Sequence, residues 1–162
     1  HHFDTKTIGL LAMIGNVGAI VGGISFGIWS EHIGRKRAII IASLLAIPII
    51  PLWAFASTPV MLGLGAFLIQ VAVQGAWGIV PVHLNELSPA LVRGMFPGFA
   101  YQLGNLIASR NGPIQASIAE SHGGNYGLAM AIVAGITVVV LVAWTAIGPE
   151  RTDVDFLTEK TR

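Results

Sequence analysis

The sequence predicts an all-α membrane protein with five transmembrane helices. Three observations carry this reading. Of 162 residues, 54% are hydrophobic and only 10% are charged, whereas soluble domains carry about 25% charged residues. Apolar segments long enough to span a bilayer recur along the chain, each on the order of 20 residues. Lys and Arg gather in alternate connections. Mean hydropathy is +0.74, and 20 glycines suit close helix contact in lipid. A net charge of +1 provides no basic field for nucleic acid, and no nucleic-acid partner is expected. Cys is absent, so disulfide chemistry gives no clue to compartment. The chain opens on His rather than Met and shows no cleavable signal pattern, which is the expectation for a truncated or processed terminus.

The first span runs from about Thr7 to Ser30, the second from Ala38 to Ser57 and the third from Pro59 to Val82. The fourth, Met95 to Ala119, is the most polar, and the fifth runs from Tyr126 to Ile147. Gly18 and Gly22 are four apart in the first span, as are Gly23 and Gly27. Such spacing lines small residues along one ridge where another backbone can approach. Arg35, Lys36, Arg37, Arg93, Arg151, Lys160 and Arg162 all fall on one side if the spans alternate. The positive-inside rule assigns that side to the cytoplasm, including the tail 148–162.

The stretch Gly27-Ile28-Trp29-Ser30-Glu31-His32-Ile33-Gly34-Arg35-Lys36-Arg37 ends a span on an acid, turns at a glycine and opens the next span on cations. A carboxylate there can cap the positive N-terminus of a neighbouring helix. The next connection is His83-Leu84-Asn85-Glu86-Leu87-Ser88-Pro89-Ala90-Leu91-Val92-Arg93-Gly94. Ser88 followed by Pro89 predicts a helix start, with Ser as N-cap and Pro in the first turn. Glu31, Arg35, Glu86 and Arg93 are the expected gating residues. Glu31 should lie near the Ser88–Pro89 helix start, with Arg35 or Arg93 beside it.

In the fourth span Gln102, Asn105 and Ser109 share one helical face. Amides at membrane depth are costly without partners or a water-filled cavity. They either line a solute path or hydrogen-bond across helices. Gln70 and Gln74, near Trp77 in the third span, admit the same two readings. Arg110 is the full charge within a span. It can grip a carboxylate through paired hydrogen bonds or snorkel to the outer surface. Gly112-Pro113 should bend or loosen the helix, because proline removes a backbone donor.

The first connection resembles the signature loop of the major facilitator superfamily, with Glu31 where Asp is usual and His32 where Arg is usual. Glu86, Pro89 and Arg93 resemble the loop between the tenth and eleventh helices of facilitator transporters. The string Phe96-Pro97-Gly98-Phe99-Ala100-Tyr101-Gln102-Leu103-Gly104-Asn105-Leu106 resembles the sialate:proton symporter family, which includes sialic acid and lactate permeases. This resemblance implies helices 8 to 12 of a twelve-helix fold, with residues 1–147 in the C-terminal half and an absent N-terminal half as partner. It implies a plasma-membrane (cell inner membrane), multi-pass secondary transporter working by alternating access. The partners would be a small organic anion, a proton and the lipid bilayer, with no cofactor. Gln102 and Asn105 would bind solute, with Gln74 and Arg110 as further substrate-binding residues.

No predicted span contains Asp or Glu, so the expected proton site lies in absent helices. His83 and Glu86 would serve the intracellular gate or solvate the loop. Transport of a sugar, an aromatic acid or another solute remains open, as does a non-transporting subunit. Gly23-Ile24-Ser25-Phe26-Gly27 matches the Gly-x-Ser-x-Gly pattern of hydrolases. That pattern has meaning on a strand–turn–helix, and here it lies in an apolar span. No enzyme activity or metal site is expected.

Overall fold

A computed structural model describes residues 3–151. Six helices follow one another: α1 Thr5–Ile33, α2 Arg35–Phe55, α3 Pro59–Leu87, α4 Phe96–Ala108, α5 Asn111–Ser121 and α6 Tyr126–Ile147. Helices α1, α2, α3 and α6 are long and apolar enough to cross a membrane. At 1.5 Å per residue, the 29-residue α1 and α3 are each roughly 44 Å long. They exceed the hydrocarbon thickness of about 30 Å, so their ends reach beyond it.

The long helices leave many large apolar side chains exposed, among them Ile20, Ile24, Val139, Trp144 and Ile147. Such a surface is at ease against lipid or another protein and unfavourable in water. Inside the bundle the contacts are made by small residues. Gly18 and Gly22 of α1 press on the backbone carbonyls of Phe67 and Val71 in α3. A Cβ at either glycine would come closer than 3.0 Å to main-chain atoms, which cannot swing aside as a side chain can. Gly27, predicted to join the same ridge with Gly23, has nothing within 4 Å of an added Cβ. Gly23 meets Gly78 of α3, where an added Cβ would stand 3.2 Å from the Gly23 Cα, so the close approach runs over Gly18, Gly22 and Gly23 and leaves out Gly27.

Two apolar clusters secure the other helices around α3. Phe26, Ala38, Ile39, Ala42, Ala76 and Ile79 join α1, α2 and α3. Ala46, Ile50, Ile69, Ala72 and Val138 join α2, α3 and α6. Helix α5 rests on α6, and α4 packs against α3.

Three expectations need correction. The fourth span, predicted as one helix over Met95–Ala119, is broken into α4 and α5 at Ser109–Arg110. Pro113 lacks the N–H that would bond the Ser109 carbonyl, so the helical ladder loses a rung at the break. Ser109 and Arg110 keep near-helical dihedrals, so the chain does not reverse at the break. The third span does not stop at Val82: α3 continues to Leu87, placing His83 and Glu86 on a helix rather than in a loop. Ser88 is the residue that ends α3, not the one that starts the next helix. Its hydroxyl donates to the Leu84 carbonyl at 2.5 Å, and α4 begins only at Phe96.

The Gly22→Val variant of the full-length protein should unfold at lower temperature, with a loss of at least about 1–3 kcal/mol from overpacking. Gly27→Ala should leave the midpoint nearly unchanged. Thermal unfolding in detergent, followed by helical circular dichroism, checks both.

Candidate functional site

Two regions collect polar chemistry: the charged end of the bundle and a cavity between the long helices. At the charged end, α1 passes into α2 through Gly34, whose φ of +94° is a conformation side-chain-bearing residues rarely adopt. This turn brings Arg35 back over α1 and against α3. Arg35 donates from Nε to Glu86 Oε1 at 3.1 Å and from Nη1 to Ser30 Oγ at 2.6 Å. The pair is well shielded, with side-chain exposures of 16% for Arg35 and 6% for Glu86. The connections 31–37 and 83–94 therefore meet at one end, as the charge pattern predicts.

Arg93 reaches back from the α3–α4 connection, donating to the backbone carbonyls of Asn85 and Ser88 at 3.2 Å each. Asn85 and Ser88 mark the C-terminus of α3, where a cation is favoured by the helix dipole. Of the four residues expected at the gate, Arg35, Glu86 and Arg93 converge on this end of α3. Glu31 is exposed and makes no hydrogen bond or ion pair among the described residues. The acid at a helix N-terminus is instead Glu150, which accepts from the Lys36 backbone N–H at 3.2 Å. Its carboxylate lies where a Cβ on Gly34 would stand. Lys36 Nζ donates to the carbonyls of Ala146 (3.1 Å) and Gly148 at the end of α6. From the sequence Lys36 served only as one of the cations that set topology, and Glu150 was given no role. The signal was present in Gly148-Pro149-Glu150 after the last span, but nothing in one dimension pairs it with Lys36.

The cavity has a volume of about 830 Å³ and is walled mainly by α1, α2, α3 and α6, with α5 contributing Asn111 and Gln115. Its polar groups are Asn16, Ser43, Gln70, Asn111, Gln115 and Thr137, set among Trp53, Trp77 and aliphatic side chains. Gln115 donates to Asn111 at 3.0 Å. A largely apolar chamber with a few amides is the usual constitution of a small-molecule site. Asn16 of α1 is exposed and lines this space. Asn111 and Gln115 were missed because the predicted continuous helix put no special weight on them.

Gln102 and Asn105 lie on one face of α4, with Asn105 Nδ2 3.5 Å from Gln102 Oε1. Both are exposed, and neither borders the cavity described above. Their neighbour Tyr101 packs on Trp77, a cavity residue, with ring centroids 5.6 Å apart. The amide face of α4 therefore stands next to the cavity rim. Gln74 is half-buried beside α1 and outside the lining. Arg110 is exposed at the α4–α5 junction, away from the lining. Gly23–Gly27 lies wholly inside α1, so the hydrolase-like pattern has no strand–turn–helix setting.

The pattern of long lipid-compatible helices, a charged end and an amide-bearing cavity is matched at the level of family. The sugar (and other) transporter family matches residues 2–149. The chain belongs to this family. The carboxylic acid transporter protein homolog of Saccharomyces cerevisiae is 32% identical over 160 residues, covering 91% of this chain and 26% of that protein. Myo-inositol transporter 3 of Cryptococcus neoformans var. grubii is 33% identical, covering 67% of this chain and 18% of that protein. Facilitated glucose transporter member 3 of mouse is 35% identical over 101 residues, 60% of this chain and 20% of that protein. The chain thus spans about a quarter or less of the length of these relatives. Family membership and the membrane-length helices make it a multi-pass membrane protein of the transporter class, not an enzyme.

Arg35→Gln in the full-length protein should cost about 3 kcal/mol or more, because it strands the buried Glu86 carboxylate. Glu31→Gln should change stability little, since exposed charges outside networks contribute weakly. Denaturant unfolding of the two variants under matched conditions measures the difference.

Proposed function

We propose that this chain is the C-terminal part of a proton-coupled importer of a small organic acid, a lactate- or pyruvate-like monocarboxylate or sialic acid. The observation that carries the reading is the 32% identity to a carboxylic acid transporter protein homolog across 91% of the chain. The inositol and glucose transporter matches cover 67% and 60%. On this reading α1, α2 and α3 are helices eight, nine and ten. The broken α4–α5 segment is helix eleven, and α6 is helix twelve. The charged end and the tail face the cytoplasm of a cell whose plasma membrane holds the protein.

Gln102 and Asn105 bind the solute's carboxylate or hydroxyl from α4, with Gln74 and Arg110 as weaker contributors. The exposure of the α4 amide face supports this role, because an absent N-terminal half has room to enclose a solute against it. The break at Ser109–Arg110 adds backbone groups freed from the helix, a frequent companion of transporter sites. Arg35, Glu86 and Arg93 hold the cytoplasmic side together in one state and release it in the other. Contacts made in only one state are what an alternating-access cycle requires. Glu31 joins them when the halves approach.

A second reading is a sugar or polyol carrier, favoured by the inositol and glucose transporter relatives. Uptake by the full-length protein in proteoliposomes separates the two. The acid reading expects saturable uptake of labelled lactate, pyruvate or sialic acid that collapses with the proton gradient. Uptake of glucose or myo-inositol alone would establish the carrier reading instead. Asn105→Ala should weaken apparent acid affinity by roughly ten- to a hundredfold, given about 1.5–3 kcal/mol for a hydrogen bond to a charged group. A conservative Gln102→Asn change should shift preference among acids. Normal affinity and selectivity in both variants would reduce the α4 face to a packing surface.

A further inference from the structure

The cavity between the long helices and the amides of α4 carry different chemistry, and one aromatic pair stands between them. No Asp, Glu, His, Lys or Arg is among the residues that line the cavity. Its volume of about 830 Å³ lies in the range of about 300–1,000 Å³ that accepts molecules far larger than lactate. An ionised carboxylate is costly in such a space, where no cation pairs with it. An apolar tail gains from the same walls. Gln102 and Asn105 lie outside the cavity, on α4.

Trp77 belongs to the stripe of α3 that lines the cavity, where Ala66, Gln70, Val73, Trp77 and Val80 recur at steps of three and four. Tyr101 of α4 packs on it with ring centroids 5.6 Å apart and ring planes tilted by 57°. Asn105 follows Tyr101 by four residues, so the two share one side of α4. Trp77 is 47% exposed and Tyr101 48%, so their contact belongs to no buried core. It bridges the cavity wall and the amide-bearing side of α4. We propose that Trp77 and Tyr101 set the length of acid that the protein accepts, by standing between the amides that hold the carboxylate and the uncharged cavity.

This inference rests on the acid reading, in which Gln102 and Asn105 hold the carboxylate. The remainder of a short acid then ends against the two rings. Aromatic side chains are large and rigid, with only two rotatable side-chain bonds each. A longer acid must displace one of them before its tail reaches the cavity. Trp77 and Tyr101 thus act on the tail and leave the carboxylate to the amides. Truncating either ring joins the two spaces. The carboxylate stays on α4, and the tail enters the cavity. Each methylene buried there strengthens binding roughly fourfold.

The test is equilibrium exchange of labelled lactate by the full-length protein in proteoliposomes, with equal pH on both sides. Propanoate, butanoate, pentanoate and hexanoate serve as competitors. In the wild type, inhibition should not strengthen along this series. In Trp77→Ala it should strengthen by roughly fourfold per added methylene, with lactate affinity little changed. Tyr101→Ala should act in the same direction, and it decides the matter should Trp77→Ala fail to fold. Tyr101→Phe, which keeps the ring, should retain the wild-type profile. Adding Thr137→Phe, which fills part of the cavity, should remove the gain from Trp77→Ala. Lactate exchange with an unchanged length profile in the alanine variants would overturn the proposal and leave the acid reading standing. A gain that persists with Thr137→Phe would also overturn it, since the tail then goes elsewhere. Absence of lactate exchange in the wild type would sink the acid reading and this inference with it.

Discussion

The rest of the structure depends on the contact between the α1 and α3 backbones at Gly18 and Gly22. In lipid, apolar side chains gain nothing from leaving solvent, because the solvent is itself apolar. Helices associate there through close van der Waals packing and a few polar contacts. The missing side chains of Gly18 and Gly22 let α1 lie directly on the carbonyls of Phe67 and Val71. With α1 seated, Ser30 arrives beside the end of α3. The Gly34 turn can then return Arg35 to Glu86. A displacement of α1 by a single methyl group would be felt at the charged end, more than two helical turns away.

The charged end is a compact arrangement of complementary termini. Arg35 meets a buried carboxylate, Arg93 meets the C-terminal carbonyls of α3, and Lys36 meets those of α6. Glu150 meets the N-terminus of α2. Each helix end leaves backbone groups unpaired, and here charged side chains from a different element satisfy several of them. Such an arrangement gives directional contacts that form or break as units. A buried ion pair of this kind adds little net stability over apolar packing. Its value lies in the geometry it imposes and in its sensitivity to charge.

The opposite character belongs to α4. It buries no residue and packs against α3, through contacts that include Tyr101 on Trp77. Its amides are exposed, and it is separated from α5 by a proline-induced break. A helix so loosely held within its own chain is suited to contact with something outside it. The cavity behind it draws its polar groups from α1, α2, α3, α5 and α6, so solute-facing chemistry is not confined to one helix.

Much of this was legible in the residues. Span lengths and the placement of Arg35 and Arg93 determined a helical bundle, among the described residues, with these basic connections at one end. These are local or one-dimensional properties: hydropathy accumulates over a window, and charge sidedness follows from counting spans. Gly112-Pro113 likewise announced a weakened helix, since proline acts on its own turn. The sequence alone did not determine which acid Arg35 would take, Glu31 or Glu86. Both lie close to a helix end, and the choice depended on how far α3 extends past Val82. Nor did it determine that Lys36 and Glu150, far apart along the chain, would meet. Only the tertiary structure decided those pairings and the membership of the cavity. They depend on the distance and rotation between packed helices, which Gly18, Gly22 and the two apolar clusters fix together and no single segment encodes.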